Sequence, residues 1–127
     1  MLIDGSISHV FRSMKHSLDG LIRCFRDEVA FRQECLIAIP HFLGLLILPL
    51  GWYVRLFLSA LWFMLAVVEL MNTAVEAVTN LASPGMHDLA KKAKDVASAA
   101  VFMVLILLCL GWVTVLYVLY FGWVTKS

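Results

Sequence analysis

Charge is what this chain has little of. Of its 127 residues 15% are charged and 62% hydrophobic, with a mean hydropathy of +0.91. A soluble domain carries roughly 25% charged and 45–50% apolar residues, so this composition excludes one and marks a polytopic membrane protein. The formal net charge is only +1, and no basic run is interleaved with aromatics, which excludes a nucleic-acid partner. Cysteine is scarce as well. Cys24, Cys35 and Cys109 are odd in number and lie in or beside apolar segments; they fit neither a disulfide framework nor a zinc site and read as small hydrophobic fillers. The opening residues include Asp4 and no positive charge, and no short apolar core with a small-residue cleavage site follows, so no cleavable signal is visible. A glycine-rich phosphate loop of the soluble nucleotide-binding kind is also missing. Any phosphate must therefore be held by lysine, metal or helix ends.

What is present is long apolar runs. Cys35 to Val54 is twenty residues without a formal charge, about 30 Å of helix and one hydrocarbon core. A second uncharged run starts at Leu56 and continues through Glu69 and Glu76 to about Ala82; a third covers the thirty residues Val96 to Thr125. These runs predict an all-α membrane protein, a single membrane domain over 1–127 with spans near 31–49, 54–82 and 95–121. Arg12, Lys15, Arg23, Arg26 and Arg32 surround the approach to the first span, and Lys91, Lys92 and Lys94 lie between the second and third, together 5 + 3 = 8 of the ten positive charges. By the positive-inside rule the N-terminus and the 83–94 loop and helix start are expected in the cytoplasm.

Ahead of the first span, over about 6–27, Ile7, Val10, Phe11, Met14, Leu18, Leu21, Ile22 and Phe25 recur at helical spacing, while Arg12, Lys15, His16, Asp19, Arg23 and Arg26 take the opposite face. That pattern predicts an amphipathic helix lying in the membrane interface, with packing against the protein's own helices as the alternative. Arg26 to Cys35 follows, in which six of ten residues are charged or amide-bearing. A solvated helix end with pairs such as Glu28–Arg32 would account for them; so would a functional cluster.

The most informative feature lies in the second span. Glu69, Asn72 and Glu76 stand at steps of three and seven, which at about 100° per residue puts them on one stripe. A carboxylate facing lipid costs a few kcal/mol at least, roughly, so carboxylates kept there face a protein interior. Two on one face repel unless a cation, proton or substrate charge is near. After Ala82, Ser83-Pro84-Gly85 ends this helix. Asp88 is the expected N-cap of the next, followed by Lys91 and Lys92. Clustered ammonium groups at a helix start suit a polyphosphate, but lysines at a cytoplasmic end also hold topology, and Lys91 and Lys92 are expected to do only that. Lys94 and Asp95 lie one turn deeper and are the stronger candidates.

Three blocks together carry a resemblance: Glu28-Val-Ala-Phe-Arg32-Gln33-Glu34, Glu69-Leu-Met-Asn72-Thr-Ala-Val-Glu76-Ala, and Ala93-Lys94-Asp95-Val-Ala-Ser98-Ala-Ala. The chain resembles the small bacterial integral-membrane diacylglycerol kinases over almost its whole length. The resemblance implies an ATP-dependent lipid kinase of a bacterial inner membrane, a homotrimer with a surface helix and three transmembrane helices per protomer and with active sites shared between protomers. It implies that Glu69 is the catalytic base and that Glu28 and Glu76 hold the Mg2+ accompanying ATP. Lys94, Asp95, Gly85, Met86, His87 and His16 would contact nucleotide; Arg32, Gln33, Glu34, Asn72, Ser98 and Ser17 would line or support the lipid side of the site. The chain departs from the family pattern at Asn80, where an acidic residue is common, and at His9 and His16. Diacylglycerol is the expected substrate because Phe31-Arg-Gln-Glu34 looks like the diacylglycerol-type block; undecaprenol is the alternative. A reading of another class, a small transporter subunit binding protons or cations at Glu69 and Glu76, leaves the first helix and the Lys94-Asp95 end without a use.

Overall fold

The computed structural model describes residues 2–83, 85 and 87–124. It is all-helical among those residues: α1 (Leu2–Asp27), α2 (Val29–Ile47), α3 (Trp52–Ala82) and α4 (Asp88–Val124). The last three are each long and apolar enough to cross a membrane. The chain divides into two compact units, Met1–Leu36 and Ile37–Ser127.

In the first unit α1 passes into α2 at Glu28 with little interruption of its hydrogen bonding. The Glu28 N–H donates to the Cys24 carbonyl at 2.9 Å and the Arg32 N–H to the Glu28 carbonyl at 3.3 Å. The Arg32 guanidinium turns back to the last carbonyls of α1, donating to those of Arg26 and, at 3.3 Å, Phe25. A cation on the free carbonyls of a helix C-terminus both satisfies them and meets the negative end of the dipole.

The second unit is built on the pairing of α3 with α4. Leu58, Leu61, Trp62 and Leu65 of α3 are buried, as are Val104, Leu108 and Val115 of α4, with Leu45 added from α2. Their spacing of three, four and seven residues is the stripe that lets two helices mesh side chains along one seam. Close approach depends on two glycines. A Cβ on Gly111 would stand 2.7 Å from Leu58 Cδ2, and one on Gly44 would stand 2.8 Å from the Trp112 ring; both are shorter than real Cβ contacts, so a side chain at either position would displace its neighbour, at Gly111 a flexible leucine methyl and at Gly44 a rigid indole.

A polar contact ties α2 to this seam. His41, 5% exposed, accepts a hydrogen bond at Nδ1 from Trp112 Nε1–H at 3.0 Å and lies against the Trp62 ring, centroids 4.5 Å apart. Since Nδ1 accepts, the imidazole proton sits on Nε2. Nε2 is buried and has no partner in the structure. Between α2 and α3 the Arg55 guanidinium donates to the Leu48 carbonyl at 3.2 Å, closing the end of α2.

At the other end of the pair, α3 stops at Ala82, and the N–H of its C-cap Ser83 donates to Thr79 at 3.0 Å. Helix α4 opens differently from the expected Asp88 cap. The His87 carbonyl accepts the Lys91 N–H at 3.0 Å and its Nδ1 accepts the Leu89 N–H at 3.2 Å. An imidazole nitrogen can serve a free helix donor as a carboxylate oxygen would, and this moves Asp88 into the first turn, where its charge favours the dipole. Within the stretch 83–94, residues 88–94 form the first two turns of α4.

Candidate functional site

Glu69, Asn72 and Glu76 descend one side of α3 towards the 83–87 turn. Glu69 is 5% exposed, the one buried carboxylate among the described residues. Asn72 Nδ2–H donates to Glu76 Oε1 at 3.3 Å, the i, i+4 contact a helix makes readily. Both residues are half-buried, and Asn72 Oδ1 is buried without a hydrogen-bond partner in the structure. A buried amide oxygen left so costs free energy unless another donor reaches it. Below it, the Thr79 hydroxyl donates to the carbonyls of Val75 (2.9 Å) and Glu76 (3.0 Å), leaving the next polar position, Asn80, to point across to α4.

That crossing forms the second part of the site. Lys94 Nζ donates to Asn80 Oδ1 at 2.6 Å. One turn before it, Lys91 pairs with the Asp95 carboxylate. Asn80, Ser83, Gly85, His87, Asp88, Lys91 and Lys94 line an open cleft of about 430 Å³ at the joined ends of α3 and α4. Its wall carries two ammonium groups and the N-terminal end of a 37-residue helix, an arrangement that favours an anion. Lys92 faces elsewhere. It lines a groove of about 520 Å³ with Asn72, Met71, Val75 and the small residues Ala93, Ala97 and Ala100, mostly apolar and suited to hydrocarbon.

Among the predicted positions, then, Glu69, Asn72 and Glu76 share a face, and Gly85, His87 and Lys94 share a cleft. Asp95 stands beside the cleft, turned to Lys91; Ser98 is exposed on α4. Met86 lies outside the described residues. Glu28, Arg32, Gln33, Glu34, His16 and Ser17 belong to the other unit. There Glu28 and Glu34 are half-buried and Gln33 exposed, while Arg32 is spent on the α1 carbonyls. Ser17 donates to the Ser13 carbonyl at 3.1 Å and borders a shallow groove with His9, Ser13 and Met14; His16 is exposed on the same helix and does not line that groove. Sequence spacing alone did not single out Asn80 as the partner of Lys94, because fourteen residues and a turn separate them. Nor did it mark Lys91 as a cleft residue.

The metal that such a site implies can be judged from the donors present. Glu76 has one carboxylate oxygen engaged by a neutral amide and no cation beside it among the described contacts. An anionic oxygen donor of this kind is what a hard divalent ion takes, with phosphate oxygens and water completing its shell. Among the described residues no group of three or more His, Cys, Asp or Glu side chains converges.

Comparison with known proteins gives a family match. The family model described as prokaryotic diacylglycerol kinase matches residues 15–116. The diacylglycerol kinase of Haemophilus influenzae is 34% identical over 118 residues, covering 87% of this chain and 94% of that protein. Its counterpart in Helicobacter pylori strain 26695 is 37% identical over 123 residues, 87% of each chain. That of Escherichia coli K12 is 28% identical over 110 residues, 87% of this chain and 90% of the relative.

Proposed function

The chain belongs to the prokaryotic diacylglycerol kinase family of lipid kinases, and from that premise we propose that it transfers the γ-phosphoryl group of ATP to the hydroxyl of diacylglycerol, giving phosphatidic acid. The observation that carries the reading is the run from a buried carboxylate to a cationic cleft: Glu69, Asn72 and Glu76 on α3, then Asn80 and Lys94 at the joined helix ends. Glu69 and Glu76 are seven residues apart, about 10 Å along the helix. That separation suits a lipid hydroxyl held deeper and a polyphosphate held nearer the aqueous end.

In this reading Glu69 takes the proton of the lipid hydroxyl as that oxygen forms its bond to the γ-phosphorus. The bond from that phosphorus to the β–γ bridging oxygen breaks, and ADP leaves with the electron pair. Phosphoryl transfer asks for positioning and charge neutralisation more than for covalent help. Lys94, supported by Asn80, meets phosphate oxygens; Gly85, Met86, His87, His16 and Asp95 flank the nucleotide. Glu28 and Glu76 would hold Mg2+, which supplies neutralisation of the phosphate charge. Asn72 orients the Glu76 carboxylate, and Arg32, Gln33, Glu34, Ser17 and Ser98 support the lipid side.

The setting is a bacterial inner membrane with the N-terminus and the 83–87 turn in the cytoplasm, supported by eight of ten Lys and Arg on that side. An interfacial α1 and a homotrimer complete the proposal. Support for neighbouring copies comes from the half-buried polar stripe of α3, which hydrocarbon could not satisfy, and from the unpartnered Asn72 Oδ1. The relatives' shared name, diacylglycerol kinase, favours that lipid over undecaprenol.

The test is labelled-phosphate transfer from MgATP in mixed micelles, with diacylglycerol and undecaprenol offered in parallel and Glu69→Gln as the control. Transfer to diacylglycerol that Glu69→Gln abolishes supports substrate and base together. Preference for undecaprenol corrects the substrate. No transfer to either from a folded protein, with proton or cation flux in its place, overturns the reading.

A further inference from the structure

The two lysines of the α3–α4 cleft are neutralised to different degrees. Lys91 is matched by the carboxylate of Asp95. Lys94 makes no ion pair among the described residues; its ammonium is fixed at 2.6 Å by Asn80 Oδ1, a neutral amide oxygen. Asp88, the remaining acid of the cleft wall, is exposed in the first turn of α4, where the helix dipole already offsets it. Lys94 is half-buried, and the exposed Asn80 reaches its ammonium at the mouth of the cleft, so a neutral oxygen places the ammonium on the wall while it keeps its full charge. A carboxylate in the position of Asn80 would hold it equally well but would form an ion pair that an incoming phosphate must break.

We propose that Asn80 sets the anion affinity of this cleft: it is a positioning residue that fixes Lys94 without neutralising it and so leaves that charge to the polyphosphate of the nucleotide. The inference rests on the reading of the cleft as the phosphate end of the site.

Three single variants of the full-length protein in detergent micelles test it, each first checked for an unchanged size-exclusion profile. The probes are direct binding of inorganic tripolyphosphate and the KM for MgATP, each over a range of salt. Asn80→Asp is expected to weaken tripolyphosphate binding and raise the MgATP KM by roughly three- to fivefold, the scale of an exposed ion pair competing with the incoming anion. It should also flatten the salt dependence, with the KM for lipid unmoved. Asn80→Ala, which frees the ammonium without opposing it, should fall between wild type and Asn80→Asp. Tripolyphosphate binding by Asn80→Asp equal to wild type overturns the proposal, as does Asn80→Ala binding more weakly than Asn80→Asp. Lys94→Ala separates the two levels. If it leaves tripolyphosphate binding intact, the cleft is not the phosphate site and the underlying reading fails; if it abolishes binding while Asn80→Asp does not weaken it, only the role of Asn80 fails.

Discussion

Substituting Gly44 by alanine isolates the close approach of α2 to α4. The added Cβ would lie 2.8 Å from the far edge of the Trp112 ring. The ring cannot simply slide away, because its Nε1–H is held by His41 Nδ1 at 3.0 Å, one turn back on the same helix. Overpacking of this kind costs about 1–3 kcal/mol. If the ring swings out, an intramembrane hydrogen bond averaging about 0.6 kcal/mol is lost as well. Against these stands the better helix propensity of alanine, about 1 kcal/mol. With the bond lost, the net expectation is a destabilisation of roughly 0.5–2.5 kcal/mol. In a Trp112→Leu background the clash and the bond are both gone, and only the propensity gain remains, so Gly44→Ala should there stabilise by up to about 1 kcal/mol. Reversible denaturation in mixed micelles, run as a double-mutant cycle, reads the difference directly. Gly44→Ala with the same effect in both backgrounds would refute the contact.

Three further outcomes follow from particular side chains. Glu69→Gln should lower phosphoryl transfer by at least roughly a hundredfold with the helical circular dichroism unchanged; retention of a tenth of the activity would remove Glu69 from the role of base. Glu76→Gln should raise the Mg2+ concentration needed for half-maximal transfer and leave the KM for lipid in place, since it removes an anionic oxygen and keeps the Asn72 contact; an unchanged Mg2+ requirement would count against it as a ligand. Arg55→Met should cost only about 1 kcal/mol in a thermal melt, because the lost bond to the Leu48 carbonyl is offset by removing the buried, unpartnered Nε; a loss well above that would point to a second role for the guanidinium.

How much of this was legible beforehand depends on distance along the chain. Three apolar helices announce themselves because an uncharged run of twenty or more residues has no other stable form in hydrocarbon. The shared face of Glu69, Asn72 and Glu76 follows from helical period alone, and the Asn72–Glu76 hydrogen bond is a local consequence of it. Contacts across turns were not legible. Asn80 stood out only as a departure from a family pattern, and its bond to Lys94 depends on how the ends of α3 and α4 meet. The His41–Trp112 bond spans 71 residues; a single histidine in an apolar run carries no sign of which helix will supply its donor. The cap of α4 falls on His87 rather than Asp88: its imidazole nitrogen accepts the free Leu89 N–H, a choice that residue preference ranks but local geometry decides.

The distribution of buried side chains along α3 explains why the structure can be rigid and still hold a site. Leu58, Leu61, Trp62 and Leu65 are buried, and after Glu69 no residue of the helix is. Over the first part, Gly111 and Gly44 let the neighbouring chains close in, and the His41 contact fixes α2 against Trp112 and Trp62. Beyond Glu69 the facing positions on α4 are Ala93, Ala97 and Ala100, and a groove of about 520 Å³ runs beside Asn72 and Val75. Small residues cannot fill that space from α4, so packing there is incomplete in the isolated chain and room remains for hydrocarbon or another helix. The polar groups of α3 fall in this open half, together with the lysines at the end of the pair. Stability and chemistry are thus carried by successive stretches of the same two helices: tight apolar packing anchors the stretch before Glu69, which allows the stretch after it to leave a carboxylate, an amide oxygen and an ammonium group incompletely satisfied, as ligand binding requires.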